Sequence, residues 1–165
     1  MSKVVYPLAQ VIEVKKRRVD DAEKVVKEKQ IALEKENEKL TQRKAERDKV
    51  VQHHQDKLNQ MRKEMDGGTT SPVIQQMKAY LKVVKERVKV EEKKVKDQQA
   101  QVEIAEKNLQ IAKQELKIKR QEVDKLETHR KDWEKEARKE QEIVEGREQD
   151  ELGSISFMTH KKLHK

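Results

Sequence analysis

The chain has 165 residues, 44% of them charged and only 2% aromatic, with a net charge of +8 and no cysteine. So little large apolar surface excludes an ordinary globular core, and the missing thiols exclude disulfides and thiolate metal sites. The apolar residues, 33% of the chain, nevertheless recur at helical spacing, which is the pattern of a coiled coil rather than of disorder.

Residues 1–7 read as a lead-in, and Pro7 suits the first turn of a helix, where its missing N–H is not needed. A first helix is predicted over 8–65, a stretch without Gly or Pro. Its apolar stripe steps by seven through Ile12, Val19, Val26, Leu33 and Leu40. It then skips eleven residues to Val51 and continues through Leu58 to Met65. Such a step is a heptad plus four, a stutter that relaxes the supercoil locally. Lys44, Arg47 and His54 fall on or near the seam there, so residues 50–54 are expected to be the weakest-packed part of this helix.

The only convincing break spans 66–72. Gly67 and Gly68 can take the positive φ that ends a helix. Ser71 suits an N-cap, with Pro72 at the first helical position of a second helix. A short loop between two apolar stripes makes an antiparallel helical hairpin.

The second helix is predicted over 73–152. Stepping by seven gives Ile74, Leu81, Val88, Val95, Val102, Leu109, Leu116, Val123, Arg130, Ala137, Val144 and Glu151, ten of the twelve apolar. Three residues on, the companion row is Met77, Val84, Glu91, Gln98, Ala105, Ala112, Lys119, Leu126 and Trp133. This 3-and-4 alternation keeps one seam facing a partner helix. Pairing outward from the loop sets Leu58 near Leu81, Val51 near Val88, and Ile12 near Glu127 to within a turn. The first helix is then used up near residue 131, and about 20 residues of the second overhang, roughly 30 Å. Residues 140–151 carry a net charge of −5. The helix is expected to fray near Gly146 or stop at Gly153, leaving a flexible basic tail over 153–165 with His160 and His164. The expected fold is therefore all-α: one long antiparallel two-helix coiled-coil hairpin with an overhanging C-terminal helix.

No catalytic pattern is present. His53 and His54 are adjacent and point about 100° apart on a helix, so they cannot share a metal as an i, i+4 pair would. There is no phosphate loop, nucleophile elbow or carboxylate pair, and a two-helix hairpin offers no concave site that excludes water. No enzyme activity, metal or cofactor is expected. Mixed charge is first a solvated helix face, and aromatic residues for base stacking are scarce, so nucleic acid is not an expected partner. No apolar run approaches the ~18 residues of a membrane span, and the opening MSKVVYPLAQ lacks the apolar core of a secretory signal. A cytosolic chain without membrane insertion is expected.

Candidate partner contacts are the basic run Lys15, Lys16, Arg17 and Arg18, and Trp133. Trp133 sits on the seam where the first helix runs out, either as a plug on the last layer or as an anchor for another protein. Tyr80, near the loop, invites the same two readings, and Phe157 lies in the tail. Polar seam residues Glu91, Gln98 and Lys119 lower stability but can fix register.

Three stretches then carry a resemblance: YPLAQVIEVKKRRVDDAEKVVKEK, the loop DGGTTS, and MKAYLKVV. In order, length and architecture the chain resembles the small stalk proteins of type III secretion systems, and more narrowly the YscO-like members of chlamydiae. The wider family includes the flagellar export protein FliJ. The resemblance implies a hairpin similar to part of the rotary ATPase γ subunit. It implies a place in the central pore of the hexameric export ATPase, contact with the export gate, and handling of substrate chaperones. By analogy with γ, the end bearing both termini would enter the ring. Lys15, Lys16, Arg17, Arg18, Arg130, Trp133, Ala137 and Val144 would then be the contacts there, while Gly67, Gly68, Thr69, Thr70 and Tyr80 would face the gate. The chain would be a monomeric hairpin on the cytosolic side of the apparatus. The competing reading is a generic coiled-coil scaffold or chaperone-binding adaptor without ATPase coupling.

Overall fold

The computed structural model describes residues 5–163; His164 of the expected tail lies outside them. Two long helices account for nearly all of this range: α1, Ala9–Asp66, and α2, Ser71–Leu163. The chain divides into two compact units, one of residues 23–114 around the loop and one that joins residues up to 22 with those from 115 onward.

In the loop unit, α1 closes with a Schellman motif. The Thr69 N–H donates to the Glu64 carbonyl (3.2 Å) and the Gly68 N–H to that of Met65 (3.3 Å), which satisfies carbonyls the helix would leave open. Gly68 holds φ at +77°, and no other described residue has a positive φ. Because a Cβ at Gly68 would meet nothing within 4 Å, the cost of Gly68→Ala is conformational alone, about 1–2 kcal/mol. Gly67→Ala should cost much less, since its Cβ would make only ordinary contacts at 3.5 Å. Thermal unfolding of the two variants checks this, and equal midpoints would refute it. The start of α2 lies one residue earlier than the sequence implies. The Ile74 N–H donates to the Thr70 carbonyl at 3.3 Å, so Thr70 rather than Ser71 is the cap residue, and Pro72 is the second helical residue. Pro7 shifts likewise: the Ala9 N–H closes on the Tyr6 carbonyl at 3.1 Å, which puts Pro7 at the second position of a turn ahead of α1.

The core of the loop unit is the predicted α2 stripe. Leu81, Val84, Val95, Val102, Leu109 and Ala112 are buried, Val84 completely. The α1 side departs from expectation. Instead of a stutter, the half-buried residues continue by sevens through Val26, Leu33, Leu40, Arg47, His54 and Met61. Val51 and Met65 are exposed. The facing α2 stripe never breaks phase, so α1 must keep phase with it, and two polar residues fall on the seam. Arg can lay its apolar stem along such a seam while its head stays wet. Gln98 anchors the register: its amide donates to the Glu36 carbonyl (3.0 Å) and to the Glu36 carboxylate. Glu91 Oε1 accepts from Lys94 at 3.2 Å, while its buried Oε2 has no hydrogen-bond partner.

In the terminal unit, Ile12 is fully buried, with Tyr6 and Leu116 also inside. The cross-helix contacts Tyr6–Trp133, Lys15–Glu122 and Lys16–Glu127 each match the predicted register to within a turn, and the first two run antiparallel. Here α2 passes straight through Gly146 and Gly153 to Leu163, where the sequence predicts fraying or a stop and a non-helical tail from 153. Neither glycine leaves the helical φ range. A glycine in a helix interior costs about 1 kcal/mol relative to Ala, which weakens a helix without ending it.

Candidate functional site

The thirteen candidate contact residues fall into two sets, one in each unit. In the terminal unit the basic run is split by helix geometry. The Lys15 ammonium donates to Glu122 Oε2 at 3.1 Å and Lys16 pairs with Glu127 at 3.2 Å. Arg17 and Arg18 point away and are exposed. The four residues therefore do not share one face, because successive residues on a helix turn about 100°. Two lysines serve the hairpin and two arginines remain for solvent or a partner. The hydrogen bond from Lys15, with its charge and those of Lys119 and Arg18 behind it, outweighs the desolvation of Glu122 and holds that carboxyl below the usual glutamate range.

Trp133 is half-buried, and Tyr6 closes over it edge-on, with ring centroids 5.5 Å apart and planes at 64°. The Tyr6 hydroxyl also meets His129 Nδ1. Of the two readings of Trp133, the plug is the one the geometry supports. Tyr6 is the partner that sequence reasoning missed, although extending the predicted register past Ile12 brings it opposite residue 133. Trp133 is the only tryptophan, so Tyr6→Ala should shift its emission to longer wavelength and speed its quenching by acrylamide, with about 1.5–3 kcal/mol lost from this layer. An unchanged spectrum would show that Tyr6 does not cover the ring. Arg130 is held at 3.1 Å by Glu134 on its own helix. Ala137 is half-buried and Val144 is exposed. Trp133, Ala137 and Val144 line one shallow depression with Glu136, Glu140, Gln141, Glu145 and Glu148, an apolar strip inside an acidic rim.

In the loop unit Gly67, Gly68 and Thr70 are exposed and Thr69 is half-buried. Tyr80 is turned to α1: its hydroxyl lies 2.8 Å from His53 Nε2, the rings meet edge-on, and the Lys57 ammonium stands 6.0 Å from the ring centre. Together with Val73, Met77 and Leu81 it lines a groove bordered by Lys57, Gln60, Glu64 and Gln76. No group of three or more His, Cys, Asp or Glu among the described residues could hold a metal ion. No helix of the described residues is long and apolar enough to cross a membrane.

A family model of YscO-like proteins matches residues 3–163. The chain belongs to the YscO-like family. A solved structure of a candidate YscO homolog, CT670 from Chlamydia trachomatis, is 48% identical and superposes with a TM-score of 0.93, covering 96% of this chain and 98% of that one. No curated protein matches. Family membership associates this YscO-like chain with type III secretion, and family and helical fold together point to a structural, non-catalytic protein.

Proposed function

We propose that this YscO-like chain is the stalk and coupling protein of a type III secretion apparatus. In this reading it binds the hexameric export ATPase and links it to the export gate and to substrate chaperones, on the cytosolic face and as a monomeric hairpin. The observation that carries the reading is the family match over residues 3–163, joined to the two long helices of the described residues. A protein of that kind couples by differential binding, favouring one state of a ring subunit over another.

Two features of the terminal unit support a contact role there. Arg17 and Arg18 are exposed on α1. On α2, Ile143, Val144, Leu152, Ile155, Phe157 and Met158 are each more than half exposed. We read residues beyond Trp133 as a helical overhang that gains its packing from a partner, since apolar side chains in water gain most from association. The acidic-rimmed strip of Trp133, Ala137 and Val144 is its first segment. The 67–70 loop with the Tyr80 groove is the proposed gate or chaperone end.

The test is the hydrolysis rate of the cognate export ATPase with and without the chain, alongside size-exclusion of the mixture. Stimulation, with co-elution as one chain per ring, supports coupling. Neither binding nor a change in rate overturns it and leaves a scaffold or chaperone adaptor.

A further inference from the structure

In the terminal unit the apolar row of α2 changes its period past Trp133, the residue that Tyr6 covers. The seven-residue row through Leu126 and Trp133 turns polar, continuing as Glu140, Arg147 and Ser154. An eleven-residue spacing takes over: Trp133, Val144 and Ile155 stand three turns apart, each about 20° further round the axis. Ala137 lies on the same face, one turn beyond Trp133, and both are half-buried. Val144 is 51% and Ile155 62% exposed. A seven-residue row winds with a left-handed supercoil and an eleven-residue row with a right-handed one. The alignment of these residues is therefore no by-product of the seam with α1.

The rim of this strip decides what fits on it. Glu136, Glu140, Glu145 and Glu148 border Trp133, Ala137 and Val144. Glu145 accepts from Gln141 at 3.4 Å, and none of the four glutamates is in an ion pair among the described residues. From 140 to 151 Arg147 is the only basic residue, against six acidic ones. The whole chain is +8, but charge farther off than about 8 Å is screened at physiological salt. A basic partner is thus drawn to this stretch and not to the chain at large. The rim repels phosphate, which excludes nucleic acid and anionic lipid. Two copies set strip on strip would bring rim against rim, and like charges across an interface repel. A strand laid here would leave its backbone groups unpaired, whereas a helix satisfies its own. Resting on the reading of residues beyond Trp133 as covered by a partner, we propose that the strip seats an amphipathic helix of a partner protein. The apolar row of that helix is flanked by Lys and Arg.

The probe is a labelled, tryptophan-free helical peptide of about two eleven-residue periods, with a Leu row and Lys on both flanks. A second peptide has the same row and Glu flanks. Fluorescence anisotropy with the full chain should show binding of the first, weakened by added salt, and at least about tenfold weaker binding of the second. Emission from Trp133, the only tryptophan, should move to shorter wavelength as the first peptide binds, which locates it on the strip. The double variant Glu140→Lys and Glu148→Lys should lose more than about tenfold in affinity for the Lys-flanked peptide and gain affinity for the other. Both positions are exposed, so its circular dichroism should match the parent. Equal affinity for the two peptides, binding of neither, or binding that leaves Trp133 emission unchanged overturns the proposal, even where the chain co-elutes with the export ATPase. So does a concentration-dependent dimer of the parent that the double variant abolishes, since a second copy would then be the cover. The expected peptide preference without ATPase co-elution supports the proposal and overturns the coupling reading alone.

Discussion

Val84→Asp is expected to collapse the layers of α2 nearest the loop. Val84 is completely buried, and an uncompensated charge in such a place costs about 3–5 kcal/mol. The residue before it supplies the control. Val83 is 59% exposed, so Val83→Asp should stay within about 0.5 kcal/mol of the parent. Helicity measured by circular dichroism during heating, with amide hydrogen exchange to locate the loss, separates the two. Val84→Asp should lower the melting temperature and speed exchange around residues 77–98, while Val83→Asp leaves both unchanged. If the two substitutions behave alike, the assignment of which face of α2 is the seam is wrong.

Reversing Arg17 and Arg18 to Glu should weaken association with the export ATPase by more than about tenfold, since arginines are among the residues that most often dominate interfaces. Helix content should not change, because both side chains are exposed. Co-elution and titration of the variant against the ATPase read the first quantity, circular dichroism the second. The same reversal at Lys15 and Lys16 answers a different question. It would set Glu against Glu122 at one position and against Glu127 at the other, where ion pairs of 3.1 and 3.2 Å now stand. Loss of binding there would mix a damaged hairpin with a lost contact. Full binding by the Arg17 and Arg18 variant would remove these arginines from the ATPase interface.

The residues that served the sequence reading well are those whose behaviour is local. Gly68 ends α1 because a residue without a Cβ can take the conformation that the Schellman motif needs, and no distant contact is required to foresee it. Leu81, Val95, Val102, Leu109 and Leu116 of the α2 stripe are buried where their spacing predicts, and Val88 is half-buried, because a seven-residue apolar period has one low-energy use. The site was less legible. The basic run reads as one patch in the sequence, yet Lys15 and Lys16 face acids more than a hundred residues away. Tyr6 looks like part of a loose lead-in until Trp133 is seen beneath it.

By itself, the sequence determined that this chain is two long helices joined within 66–72 and that α2 keeps one heptad stripe in phase along its length. Each of these rests on period, composition or the φ preference of single residues. Only the tertiary structure decided which α1 residues meet that seam, putting Arg47 and His54 on it and leaving Val51 exposed. It also decided which two of four basic residues remain available, and that Glu36 and Gln98 lock the register. The reason is the same in each case. A helix fixes the direction of every side chain from its own backbone, but which directions are buried is set by the phase of the helix opposite.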